Sequence, residues 1–255
     1  MTLTLDQATE YRGILTEINR LAQRDLVALW QHFSDRSKDE FFAAMRDGVP
    51  EVVALYRAMA ADTAGLFFDE TQGLGLDLVA QSDVLVPNYE QLERNLRWAY
   101  YGAQSTNVLS LVGGIVQKHV INGARDYGIT SMGSQTWVRD ARPGACTFCR
   151  LLATRGMTNP VTGRSTVGFS SAGAASVKAG GDRTRAAKAG RVAQAAGDAF
   201  HENCMCIPVL QSEYEPPAHV EGWLDDYNKA YGSVGGASDL SAILSEMRRI
   251  SGHAH

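Results

Sequence analysis

All four cysteines of this chain fall in two short clusters, and no other feature limits the possible folds so strongly. Cys146 and Cys149 form a Cys-x-x-Cys pair, and further along His201, Cys204 and Cys206 form a His-x-x-Cys-x-Cys run. Cys-x-x-Cys is the tight knuckle that lets two thiolates meet one tetrahedral ion, and the second run offers three more donors, so the pattern predicts a zinc site. Such a site takes four of the five donors. The ligand set therefore stays open, with His201 and either Cys204 or Cys206 the interchangeable members.

Two other uses of the cysteines are weaker. A pair of disulfides requires an oxidising compartment, yet the opening MTLTLDQATEYRG has neither the basic nor the apolar stretch of a secretory leader, which predicts a reducing cytoplasm. A redox Cys-x-x-Cys belongs at a strand-to-helix junction of a thioredoxin-like unit and leaves the second cluster unexplained.

With 255 residues and 45% hydrophobic content the chain can bury a substantial core, while 25 glycines point to uneven packing. The expected class is α+β, mostly α: a helical domain over 1–130, a zinc-binding module over 131–215 and a helical tail over 216–255. The most apolar run, VLSLVGGIVQKHV at 108–120, is broken by paired glycines and Lys118 and is too short to cross a bilayer, which predicts a soluble protein.

The net charge of −4 conceals a gradient. Residues 1–149 carry 13 basic and 18 acidic side chains, residues 150–200 carry 8 and 2, and residues 201–255 carry 3 and 8. The basic middle can contact DNA or pair with its acidic flanks. Its Arg and Lys are not interleaved with stacking aromatics, Phe169 and Phe200 lying at its margins, and this favours the second use.

Helical spacing dominates the first half. Leu5, Ala8, Tyr11, Ile14, Ile18, Leu21, Leu26, Leu29, Trp30 and Phe33 predict one long amphipathic helix ending near Asp35. Ser37 and Glu40 form a capping-box pattern that opens a short helix towards Met45. Pro50 suits the first turn of a further helix, with Val52, Val53, Leu55, Tyr56, Met59, Thr63, Leu66 and Phe67 inward and Gly73 and Gly75 ending it. Pro87 and Asn88 announce another, in which Tyr89, Leu92, Leu96, Trp98 and Ala99 face a core. Thr106 to Tyr127 continues as helix despite Gly113 and Gly114, a pair suited to close helix approach or a bend. His119, on a mostly apolar face, reads as a satisfied or partly exposed histidine rather than a ligand.

After Gly128 the texture changes. Trp137 and Val138 suit a strand, Pro143 and Gly144 a turn, and the cysteine pair precedes a short helix with Leu151 and Leu152. Residues 156–199 form a basic insert rich in Gly and Ala, within which Arg183 to Ala196 has helix propensity but little apolar surface for docking. Ile207 and Val209 suit a strand returning beside Trp137 and Val138. Beyond Pro216 and Pro217, two amphipathic segments offer Trp223, Leu224 and Tyr227, then Leu240, Ile243, Leu244 and Met247.

The run Trp137-Val138-Arg139, then Cys146, Phe148, Cys149, Leu152, Arg155 and Gly156, then Phe200, His201, Cys204, Cys206 and Pro208 resembles the Mu F-like minor head proteins of tailed phages. It is closest to the actinobacterial-phage branch often labelled capsid maturation protease, and the likeness covers residues 88 to the end. Such proteins often carry a tyrosine after the Arg-Gly, where this chain has Met157, Thr158 and Asn159. The resemblance implies a low-copy minor capsid protein that acts in head morphogenesis, inside the capsid and, during assembly, in the host cytoplasm. Its implied partners are the portal protein and the major capsid protein.

Three functions follow. A closed zinc site with four protein ligands has no place for water and favours an assembly role. A hydrolase reading makes Glu202, beside His201, the candidate base; it lacks His-Glu-x-x-His, and no Gly-x-Ser-x-Gly supports a serine protease. Contact between packaged DNA and segment 150–200 is the third, and it is compatible with the first.

Overall fold

The computed structural model describes residues 3–75, 85–102, 107–133, 135–154, 157, 204–235 and 240–252. They are mostly helical, with a single two-stranded antiparallel sheet among them, as an α+β, mostly α chain should be. They divide into two compact units, one built from residues 6–131 and the other from residues 3–5, 132–154 and 204–252. The helices beyond Pro217 thus belong to the same unit as the cysteine segments. The insert at 156–199 lies, apart from Met157, outside the described residues, and so do its Arg183 to Ala196 stretch and the loop over 76–84.

The first unit begins with α1 (Leu5–Phe33), which buries Ala8, Tyr11, Leu15, Ile18, Ala22 and Leu26 at helical spacing. Next comes α2 (Lys38–Gln72), opened by the Glu40 carboxylate, which accepts from the Ser37 N–H at 3.2 Å and its hydroxyl at 2.6 Å. Here the predicted break fails, because Pro50 lies inside one continuous helix. Val49 and Val53, on either side of it, are fully buried, and that shared burial outweighs a proline penalty of about 3 kcal/mol. The carbonyl that loses its partner belongs to exposed Arg46. At the far end Gly73 takes φ 63°, so its N–H reaches the Asp69 carbonyl and the Leu74 N–H reaches that of Phe68.

Helix α3 (Tyr89–Arg97) is capped by the Asn88 side chain, which accepts from the Gln91 N–H at 3.0 Å, and it continues as a wider π turn over Trp98–Gly102. Leu92, Leu96 and Ala99 are buried as expected, but Tyr89 and Trp98 are exposed. Leu5, Ile14, Leu55, Met59 and Leu66 are likewise exposed against expectation. Spacing marks the apolar side of a helix but not how wide a strip its neighbours cover. Helix α4 (Val108–Met132) runs five residues beyond its predicted end at Tyr127.

Helices α1 and α2 run antiparallel: Tyr11 stacks on Phe67 at 4.0 Å, the Tyr56 hydroxyl donates to Asp25 at 2.6 Å, and Trp30 meets Phe41 edge-on. Helix α4 joins both. Gln23 packs over Gly113 and donates to its carbonyl at 2.8 Å, so the glycine pair serves close approach. A tighter approach occurs at Gly123, where a Cβ would lie 2.3 Å from the Arg57 carbonyl oxygen and 2.8 Å from its Cγ. Since backbone must move to admit a methyl there, Gly123→Ala should destabilise by about 1–3 kcal/mol. Gly13, in α1, has nothing within 4 Å, so Gly13→Ala should stabilise by about 0.5–1 kcal/mol. Urea denaturation of the two variants checks the opposite signs.

His119 is buried rather than partly exposed, and its Nε2 finds no hydrogen-bond partner among the described residues. Burial, reinforced by the charges of Lys118 and Arg57, holds its pKa down to about 4. The unfolded chain titrates near 6.5 and so binds the proton first as pH falls. The helical unit is therefore at full strength above pH 6.5 and loses about 3 kcal/mol as pH falls to 4. The wild-type minus His119→Leu stability difference should fall by about 2–3 kcal/mol between pH 7 and pH 4.5, because the variant lacks this part of the pH dependence, as measured by denaturation at the two pH values.

In the second unit, β1 (Trp137–Asp140) pairs with β2 (Ile207–Leu210), Trp137 opposite Leu210 and Asp140 opposite Ile207. The Gln211 N–H donates to the Thr136 carbonyl at 3.0 Å, which makes that pair hydrogen-bonded. By alternation Arg139 and Pro208 form a non-hydrogen-bonded pair. Pro208 therefore enters the ladder without costing a bond. Helix α5 (Thr147–Ala153), α6 (Ala218–Ser233) and α7 (Leu240–Ser251) pack together, burying Leu151, Leu152, Trp223, Leu224, Ile243 and Met247. Arg150 joins two of them: Nε donates to the Ala145 carbonyl at 2.8 Å, and its guanidinium lies 5.4 Å from the Trp223 ring centre.

No helix among the described residues is long and apolar enough to cross a membrane.

Candidate metal centre

The centre is assembled from two segments flanking the sheet. After β1, the Arg142-Pro143-Gly144-Ala145 turn closes with a 2.9 Å bond from the Ala145 N–H to the Arg142 carbonyl. That turn delivers Cys146 to the N-cap of α5, where its sulfur accepts from the Cys149 N–H at 3.5 Å. The helix then carries Cys149 inward by one turn. Cys204 and Cys206 come from the extended segment that leads into β2, and the antiparallel pairing brings this segment back to α5.

Cys149, Cys204 and Cys206 are buried, and their sulfurs all lie within 4.8 Å of one another. Cys149 and Cys204 are 3.4 Å apart. Zinc–sulfur bonds of about 2.3 Å place the sulfurs of a tetrahedral site about 3.8 Å from each other, so these three fit such an ion. The Cys206 N–H donates to the Cys204 sulfur at 3.5 Å. This bond and the Cys149 N–H bond supply the backbone donors that ionised sulfur needs in a buried place.

Of the predicted ligands, the structure thus brings together Cys149, Cys204 and Cys206, with Cys146 beside Cys149 at the half-buried rim. His201 and the candidate base Glu202 lie outside the described residues. All four cysteines are free thiols, so the disulfide reading finds no bridge.

Electrostatics point away from a redox pair. Hydrogen bonds with Cys146, then with Cys204 and Cys206, and then burial push the Cys149 thiol well above its ordinary range. Cys206 is also raised: its bond with Cys149 acts downward, but the bond with Cys204, burial and the Cys204 charge outweigh it, while Arg139 acts downward. A nucleophilic cysteine needs the opposite, a depressed pKa and access to solvent. A soft dication converts such thiols to thiolates by displacing their protons, and the residues that would hold it here are the three buried cysteines and Cys146.

Arg139 was missed as part of the centre. It is almost completely buried, and its Nη1 lies 3.8 Å from the Cys149 sulfur. An arginine in an alternating strand pattern normally marks a solvent-facing position, and its place in the Trp137-Val138-Arg139 run shared with the minor head proteins was the signal that pointed to it.

Comparison with known proteins gives one family and nothing finer. No curated protein and no solved structure matches the chain. The family described as VG15 protein matches over residues 2–230, a span that takes in the first unit, both strands and every cysteine. By this match the chain belongs to the VG15 protein family and is a phage virion protein.

Proposed function

We propose that this virion protein is a minor capsid protein that acts in head assembly near the portal, with a structural zinc ion as the staple of its second unit. The observation that carries the reading is the set of three buried sulfurs drawn from segments on either side of β1 and β2. The elements that carry the sulfurs are short, two four-residue strands and a seven-residue helix, and by themselves they offer each other little apolar surface. Metal binding supplies about 10 kcal/mol or more in small zinc modules, enough to hold such a unit. With Cys146 or His201 as the fourth protein ligand the ion has no open position for substrate, which fits an architectural part rather than a hydrolase.

Head assembly follows from the virion family together with the resemblance to Mu F-like minor head proteins, which also implies the portal and major capsid proteins as partners. The place of action is then the capsid interior, after assembly in the host cytoplasm. The basic segment 150–200 adds a contact with packaged DNA, since its 8 basic and 2 acidic residues match a phosphate backbone.

The test is copy number. Purified procapsids should contain a few copies per particle, tracking portal incorporation and dropping out of portal-free particles. Absence from heads, or a stoichiometry that follows the major capsid protein, overturns the assembly role. Incubation with the major capsid protein, read by mass spectrometry, should show no cleavage; cleavage products would move the reading to a maturation protease.

A further inference from the structure

Arg139 stands between the two halves of the cysteine centre. In β1 it lies opposite Pro208, two residues past Cys206, and ten residues before Cys149. Arg139 is 1% exposed, with Nη1 3.8 Å from the Cys149 sulfur, within reach of a long N–H···S contact. Its charge also acts on Cys206, so both segments feel it.

Burying a guanidinium is costly unless an opposite charge accompanies it. Three thiolates around a dication leave one net negative charge, and four leave two. A positive group against the central sulfur offsets one of these. Arginine suits the position better than lysine in one respect: its planar fork is less strongly hydrated and holds a fixed direction.

We propose that Arg139 is a positioning residue of the metal centre, orienting the Cys149 sulfur and offsetting the negative charge of the metal-bound thiolates. This inference rests on the zinc reading and adds a residue that is not itself a ligand. Partners behind metal ligands set ligand orientation and basicity, and losing one typically lowers metal affinity 10- to 100-fold.

The experiment is a cobalt(II) titration of the full chain, followed by competition with zinc, for wild type, Arg139→Met and Arg139→Lys. Wild type should show an intense sulfur-to-cobalt charge-transfer band. Arg139→Met, similar in bulk but neutral, should bind cobalt about 10- to 100-fold more weakly. Its charge-transfer band at saturating cobalt should shift to lower energy, because a thiolate without its N–H donor gives up an electron more readily. Arg139→Lys should recover most of the affinity. A side chain that merely fills space would leave the band in place and would make Lys no better than Met, and either result overturns the proposal. Should Arg139→Met fail to fold, Arg139→Gln replaces it: Lys binding more tightly than Gln supports the charge role, and equal affinities overturn it. A wild-type protein that takes up neither cobalt nor zinc removes the metal centre itself, a failure distinct from that of Arg139.

Discussion

Purified wild-type protein is expected to hold one zinc ion, and Cys149→Ser is expected to lose it together with the fold of the second unit. Cys149 is the right residue to change because its sulfur is the hub: 3.4 Å from Cys204, 3.8 Å from Arg139, and buried. A serine hydroxyl is a poor ligand for a soft ion, so about 10 kcal/mol of metal-linked folding energy is at stake. Trp137 and Trp223, both buried in this unit, should become exposed and shift their fluorescence. Far-ultraviolet dichroism should fall by less than half, since the long helices α1, α2 and α4 belong to the other unit. Chelation of wild-type protein should reproduce the variant. Cys146→Ser is the sharper companion: serine is a better N-cap than cysteine, so α5 gains if capping is the residue's whole role. Zinc loss in that variant would identify Cys146 as the fourth ligand. A metal-free wild type with unchanged fluorescence would refute the staple.

The second large effect lies in the helical unit. Asp126→Ala should destabilise it by about 3–5 kcal/mol, because the buried Arg57 guanidinium would lose the carboxylate that accepts from its Nη2. Arg57 Nη2 meets the Asp126 carboxylate at 2.6 Å and Nη1 donates to the His119 carbonyl at 3.2 Å, tying α2 to α4 close to their tightest approach at Gly123. Replacing both partners together, Arg57→Met with Asp126→Leu, should recover much of the loss, since an apolar pair of similar bulk carries no desolvation penalty. Urea denaturation of the three variants measures the coupling. Additive losses would mean that the ion pair contributes little.

Local chemistry made much of the fold legible. The Ser37 and Glu40 pair, Gly73 and Asn88 mark helix ends through caps that involve only neighbouring residues. The strand pairing of Trp137 and Val138 with Val209 and its neighbours was readable because β-branched and aromatic residues bracket the cysteine clusters. Pro50 misled because its cost is local, whereas the burial of Val49 and Val53 that overrides it depends on distant helices. Leu55, Met59, Leu66 and Trp98 misled in the opposite sense: apolar side chains at helical spacing stay exposed when no neighbour covers them.

The metal donors and their knuckle spacing were written into the chain, since a Cys-x-x-Cys pair at a helix start needs nothing beyond its own turn to converge. Which sulfurs actually meet is a matter of long-range pairing. Cys149 and Cys204 are 55 residues apart, and only the β1–β2 register, driven by burial of both strands, brings them to 3.4 Å. That register also turns Arg139 inward, and in the helical unit the packing of α2 on α4 sets Gly123 against Arg57; both placements depend on where other elements pack rather than on any nearby residue.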